Sequence, residues 1–233
     1  MNMSVGDTKR LGSEAAKRRA WETKIRGSEA AKRRVWNAEY NKGEWDYLDA
    51  DTAKPDENRD PIYRYLNKYC VDTSVLDLGC GAGTTALLMT DAYREYVGVD
   101  ISTVAVEKAR ARLAQNPQRA GKVTFFASDI LSFVPGRKFS TILFRESLPY
   151  FPVKQIVDLM RRYSDYLAAD GVFIIRIYDK RAYREIVETL EKQLDVVEKY
   201  EPEGTLNIMA VYRPLAGATP KGSAGREQTG NAC

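Results

Sequence analysis

The chain has 233 residues, enough for one domain with a sizeable core, and no second domain is needed to account for its length. Its 36 Lys and Arg against 32 Asp and Glu give a net charge of +4, and its apolar stretches are strand-sized, which argues against a membrane span. It has no histidine, and its three cysteines, Cys70, Cys80 and Cys233, show no paired spacing, so neither a zinc site nor a disulfide framework is expected.

The N-terminal stretch has no apolar core of the kind a secretory signal needs, and with the scattered cysteines this suggests a cytoplasmic protein with reduced thiols. A repeat lies here: Gly12-Ser13-Glu14-Ala15-Ala16-Lys17-Arg18-Arg19-Ala20-Trp21 recurs fifteen residues later as Gly27-Ser28-Glu29-Ala30-Ala31-Lys32-Arg33-Arg34-Val35-Trp36. Two copies are too few for a solenoid, and the period places the two tryptophans about 60° apart on one helix. Residues 8–36 carry ten Lys or Arg against three Glu, so a charge of +7 sits in this stretch and the remainder is near −3. Residues 1–35 are therefore read as a basic arm, either a solvated helix or a contact for an anionic partner. An aromatic stretch follows, containing Trp36, Tyr40, Trp45, Tyr47 and Leu48.

A helix is expected over 60–69, opened by Asp60 as cap and Pro61 at its first position. The run Val75-Leu76-Asp77-Leu78-Gly79-Cys80-Gly81-Ala82-Gly83 then reads as a buried strand entering a turn with almost no side chains. Such a turn brings backbone N–H groups close to a ligand at the C-terminal edge of a sheet, the position of a nucleotide cofactor. The dinucleotide spacing would require a third glycine where Thr84 stands, so that cofactor class is disfavoured. Helices are expected over 83–92 and 103–115. Between them a second strand ends at Asp100, and a third strand from Val123 has Asp129 just beyond its end. An acid after strand two suits a ribose diol, and one after strand three suits an adenine amino group.

Strand four spans 141–144. An amphipathic helix is expected over 153–167, with Gly171 as its C-terminal breaker, followed by strand five at 172–178 and a helix at 181–192. Two final strands, 194–200 and 206–212, are joined through Pro202 and Gly204 as a hairpin. Alternating strands and helices predict an α/β, doubly wound, mostly parallel seven-stranded sheet whose C-terminal hairpin adds an antiparallel strand. Residues 214–233 have almost no apolar bulk and read as a disordered tail.

Asp77-Leu78-Gly79-Cys80-Gly81-Ala82-Gly83, Gly98-Val99-Asp100, Ser128-Asp129-Ile130 and Phe139 to Phe144 followed by Arg145-Glu146 together resemble the class I S-adenosylmethionine-dependent methyltransferases. The resemblance covers roughly residues 36–213, read as the methyltransferase domain. It implies a Rossmann-like sheet of order 3-2-1-4-5-7-6 and S-adenosyl-L-methionine as cofactor. It also implies a cofactor-binding set of Tyr40, Asp77, Gly79, Cys80, Gly81, Gly83, Asp100, Ile101, Asp129, Ile130 and Arg145. In this reading Asp100 takes the ribose hydroxyls, Asp129 and Ile130 take the adenine, and Asp77 orients the glycine turn and the cofactor's amino group. The stretch from Trp36 to Leu48 looks like the aromatic segment that small-molecule methyltransferases place over the cofactor, where aromatic faces suit a sulfonium.

Without histidine, the expected general base is Glu146, with Tyr150 next, although Glu146 could equally serve as an anchor for Arg145 or Arg176. The Asn/Asp-Pro-Pro-Tyr/Phe signature of exocyclic-amine methylation is absent after strand four. The expected reaction is methyl transfer to an oxygen or nitrogen of a small-molecule substrate such as a sugar or secondary-metabolite intermediate. Two alternatives stay open: an RNA methyltransferase that uses the basic arm to hold nucleic acid, and a non-catalytic cofactor-binding partner subunit.

Overall fold

A computed structural model describes residues 27–45 and 61–215. The ordered elements are α1 (Glu29–Asn41), α2 (Ile62–Tyr69), β1 (Ser74–Leu78), α3 (Thr84–Leu88), β2 (Glu95–Asp100), α4 (Thr103–Ala114), β3 (Val123–Ala127), β4 (Phe139–Arg145), α5 (Val153–Ser164), β5 (Leu167–Ile177), α6 (Arg184–Gln193), β6 (Leu194–Tyr200) and β7 (Ile208–Pro214). The seven strands form one sheet of order β3-β2-β1-β4-β5-β7-β6, the order the resemblance implies. Strands β1 to β5 pair in parallel, and β7 is antiparallel to both β5 and β6.

Side-chain alternation along the strands divides the core in two. Leu76, Leu78, Val99, Ile142, Phe144, Phe173 and Ile175 pack against Ile156, Leu159, Met160 and Tyr163 of α5 and Ile186 and Leu190 of α6. Val75, Tyr96, Leu143, Ile174 and Val211 pack on the other face against Ile62 and Leu66 of α2, Ala86 of α3, and Val106 and Ala109 of α4. Both faces are covered, as a parallel sheet requires.

Three helix ends lie three or more residues from those expected. Helix α3 stops at Leu88 instead of residue 92, with Met89 extended. The guanidinium of Arg119, buried beneath it, donates to the carbonyls of Ala86 (2.7 Å) and Met89 (2.7 Å), satisfying groups that a longer helix would have bonded internally. Helix α5 ends at Ser164, and Gly171 lies inside β5 rather than closing the helix. Across β4 the register runs from Phe139↔Leu167 to Thr141↔Val172, so β5 carries extra residues in a bulge. A Cβ on Gly171 would stand 3.0 Å from the carbonyl oxygen of Ala168, so the folded-back bulge accounts for the glycine. The last helix begins at Arg184, after a turn in which Asp179 accepts from the N–H groups of Arg181 (3.0 Å) and Ala182 (2.9 Å).

Helix α1 starts at Glu29, capped by the Ser28 side chain on Ala31 N–H, and runs unbroken past residue 35. The second copy of the repeat is therefore part of the folded unit. The first copy, Tyr47, Leu48, Asp60 and the tail from residue 216 lie outside the described residues.

Candidate functional site

Where the strand order reverses between β1 and β4, the C-terminal ends of β1, β2 and β4 open into a cleft. It encloses about 1200 Å³, its open mouth included. Its floor is the turn after β1. Gly79 and Gly81 have φ of +92° and +54°, a region that penalises side chains. A Cβ on Gly79 would come 2.5 Å from Cβ of Ser147, and one on Gly81 would come 2.7 Å from the Tyr40 hydroxyl.

Asp100, at the end of β2, locks this turn. One carboxylate oxygen accepts from Gly81 N–H (2.9 Å) and the other from Ser102 N–H (2.8 Å). Burial raises its pKa to about 6, and the two backbone donors only partly oppose the rise. Asp129 accepts from Leu131 N–H (3.0 Å) and from the Lys32 ammonium (2.7 Å), with only 6% of its side chain exposed. Tyr40, Gly79, Gly81, Asp100, Ile101, Asp129, Ile130, Arg145, Glu146 and Tyr150 all line the cleft, as the sequence leads one to expect.

Asp77, Cys80 and Gly83 belong to the same turn but stand behind the cleft wall. Asp77 is buried, with one carboxylate oxygen taking the Tyr96 hydroxyl and the other lacking a hydrogen-bond partner. Desolvation lifts its pKa to about 7, against the opposing influence of Tyr96 and Arg145. The Cys80 thiol is buried against Gly98, and burial pushes it well above the usual thiol range. At Gly83, which precedes α3, an added Cβ would meet Phe125 at 2.8 Å, so this glycine serves helix packing.

The opposite wall is the segment after β4. Glu146 has φ +62°, a conformation rare for a residue with a side chain and costly unless its surroundings hold it. They do: its N–H donates to the Arg176 carbonyl (3.1 Å), and its carboxylate receives the Arg176 guanidinium and the Tyr178 N–H (3.0 Å). Even with this pairing, crowding by protein atoms lifts the Glu146 carboxyl above its ordinary value. Next to it the buried Ser147 hydroxyl has no hydrogen-bond partner. Arg145 donates to the Thr85 hydroxyl (3.1 Å) and lies over the Tyr63 ring.

Helix α1 forms the roof. Asn37 accepts from the Ser102 hydroxyl (2.8 Å) and donates to the Thr103 hydroxyl (2.9 Å), while Lys108 donates to the Tyr40 carbonyl (3.1 Å). Trp36 meets Tyr150 edge-on with ring centroids 4.8 Å apart, and Trp45 leans on Trp36 at 5.7 Å. Lys32, assigned from the sequence to a basic arm outside the domain, instead lines the cleft. Arg176 also lines it, and an arginine within the apolar run of β5 was the available signal. Among the described residues no helix is long and apolar enough to cross a membrane, and no group of three His, Cys, Asp or Glu is placed to hold a metal ion.

A family profile described as a methyltransferase domain matches residues 75–171. A 2-heptyl-1-hydroxyquinolin-4(1H)-one methyltransferase from Mycobacteroides abscessus is 28% identical over 124 residues, covering 52% of this chain and 53% of that protein. Ribosomal RNA large subunit methyltransferase G from Shewanella amazonensis is 44% identical over 66 residues, 27% of this chain and 17% of that protein. The chain thus spans about half, or less, of the length of these curated relatives. Among solved structures, the N-methyltransferase NodS from Bradyrhizobium japonicum, in complex with S-adenosyl-L-homocysteine, superposes with a TM-score of 0.58 at 18% identity, over 84% of this chain and 97% of that one. Magnesium protoporphyrin IX methyltransferase from Synechocystis, with bound S-adenosylmethionine, gives 0.59 at 16% identity, over 79% and 96%. These likenesses establish the fold.

Proposed function

We propose that this chain, which carries a methyltransferase domain of the class I S-adenosylmethionine-dependent family, methylates an oxygen or nitrogen of a small molecule with a flat, apolar body. The carrying observation is the roofed cleft. Trp36, Trp45, Tyr150 and Phe151 line it together with Glu146, and α1 covers it, unlike the open, basic groove that a nucleic acid needs. Two of the three basic side chains of the second repeat copy support the same reading. Lys32 pairs with Asp129, and Arg33 donates to the Ile101 carbonyl (3.1 Å), so both are spent on the protein itself.

The residues present fit the cofactor. Two glycines leave a floor without side chains, acidic groups stand at the end of β2 and beyond β3, and Ser147, which lines the cleft, keeps a buried hydroxyl without a partner. Asp100 would accept from the ribose hydroxyls. Asp129 would accept from the adenine amino group where it now takes Lys32, with Ile101 and Ile130 beside the ring. Tyr40, Arg145 and the 79–81 turn would border the remainder. When bound, S-adenosylmethionine supplies a methyl group already activated on a sulfonium.

The protein's own work is alignment and exclusion of water. Glu146 is placed to take the proton released by a hydroxyl or amine acceptor; its raised pKa suits a base, and Arg176 fixes its orientation. Tyr150, edge-on to Trp36, also lines the cleft and is the second candidate base.

The test is S-adenosylmethionine labelled in its methyl group, offered with a metabolite fraction and an RNA fraction. Label in small molecules is the expected result. Label in RNA would favour a nucleic-acid methyltransferase, and cofactor binding without label in either fraction would favour a non-catalytic subunit.

A further inference from the structure

The duplicated segment acquires a meaning once the second copy is seen in place. Four of its side chains contact the rim of the cleft: Glu29 accepts from the Ser132 hydroxyl (3.0 Å), Lys32 pairs with Asp129 (2.7 Å), Arg33 donates to the Ile101 carbonyl (3.1 Å) and Trp36 packs on Tyr150. Each has a counterpart fifteen residues earlier, in Glu14, Lys17, Arg18 and Trp21. Ser28, which caps α1, has Ser13. Within the ten-residue unit only Ala20 against Val35 differs. A face that recognises residues 29–36 through these groups meets the same groups, in the same order, in residues 14–21.

We propose that residues 14–21 are a second ligand for this face, exchanging with residues 29–36 within one chain. Exchange within the chain is favoured over exchange between chains because a tether keeps the local concentration of the first copy high. Seating the first copy makes Ala30, rather than Trp45, the residue from which the chain must return to Pro61. The longer closure alone weakens that seat by about threefold, and the absence of counterparts to Asn37, Tyr40 and Trp45 weakens it further, so the second copy is the resident one.

The two seats are not equivalent beyond the repeat. Fifteen residues before Asn37, Tyr40 and Trp45 stand Glu22, Ile25 and Ala30. Glu22 can accept from Ser102 but cannot donate to Thr103 as Asn37 does. Ile25 has no hydroxyl to bring to Gly81, and Ala30 has no indole to lean on Trp21. Exchange therefore keeps the anchor at Asp129 and gives up the contacts of Asn37, Tyr40 and Trp45. The exchange concerns the rim alone and stands whichever acceptor the cleft takes.

The experiment uses the full chain with Cys233→Ser; Cys70 and Cys80 are buried. Ser132 is at the rim, and Ser132→Cys is combined in turn with Glu29→Cys, Glu14→Cys and Thr23→Cys, then treated with a short bismaleimide and resolved by mass. Thr23 is nearer along the chain to the resident copy than Glu14 but is not its equivalent, so it measures proximity due to tethering alone. The expected result is fast linking in the Glu29→Cys protein, and linking within one chain in the Glu14→Cys protein about tenfold faster than in the Thr23→Cys protein. Equal rates for the Glu14→Cys and Thr23→Cys proteins, no link in the Glu14→Cys protein, or a link there found only between two chains would each overturn the proposal.

Discussion

Asp77 and Asp100 show how much of this site is built from carboxylates kept out of water. Both have folded pKa values above the unfolded one, about 7 and about 6 against 3.8. Folding therefore favours their protonated forms, and the cost of ionising them appears as pH rises above about 4 and is complete once pH passes the folded value. Every tenfold weakening of the acid corresponds to about 1.4 kcal/mol. Asp77→Asn, which keeps the shape and an acceptor for Tyr96, should raise the stability of the unliganded protein at pH 8 and leave it nearly unchanged at pH 4. Denaturant melts at the two pH values check this, and an equal change at both would show that ionisation of Asp77 costs nothing.

Glu146 calls for a different readout, because its carboxylate both anchors a left-handed backbone position and faces the acceptor space. Glu146→Gln keeps the size and one acceptor oxygen, enough for Arg176 or the Tyr178 N–H but not for both, and cannot take a proton. It should lower kcat by about 100-fold or more with little change in cofactor affinity, and it should abolish the acidic limb of the pH–rate profile. A proportionate loss of cofactor affinity would mark Glu146 as a structural anchor only.

At the scale of elements, the strands, their order and the glycine turn were legible because each depends on local chemistry. Apolar runs bury on both faces, and glycines stand where the turn takes positive φ. What was not legible depended on distant partners. Helix α3 is cut short by Arg119, and the bulge in β5 is visible only in its register with β4. The basic character of the repeat concealed that Lys32 is held by an acid ninety-seven residues away. Helix α1 has a charged sequence and docks largely through polar groups, so hydrophobic pattern alone could not assign it to the fold. Asn37→Ala removes its bonds to Ser102 and Thr103 and should weaken docking by about 1–3 kcal/mol. Hydrogen exchange would report this as faster exchange along residues 29–41, with the amides of β1 and β4 unchanged. If protection of α1 is unaffected, the helix is held by Lys32, Arg33 and the aromatic contacts instead.

Across the whole molecule, the sheet presents one edge of strand ends to the cleft, and the chain crosses that edge twice more, at α1 and at 145–151, to build a roof and a far wall. The candidate cofactor residues come from the sheet edge, and the acceptor surroundings come from the two crossings. This separation explains why the candidate cofactor residues Gly79, Gly81, Asp100 and Asp129 could be named from the sequence, each standing at or just beyond the end of a strand. The acceptor half depends on rings that meet only after folding, as Trp36 and Tyr150 do.

Calorimetric titration with S-adenosyl-L-homocysteine reports whether this edge holds the cofactor through Asp100. The wild-type chain should bind one equivalent, and Asp100→Ala should show no measurable binding while keeping a cooperative thermal transition. Unchanged affinity in the folded variant, or no binding by the wild type, would contradict the account.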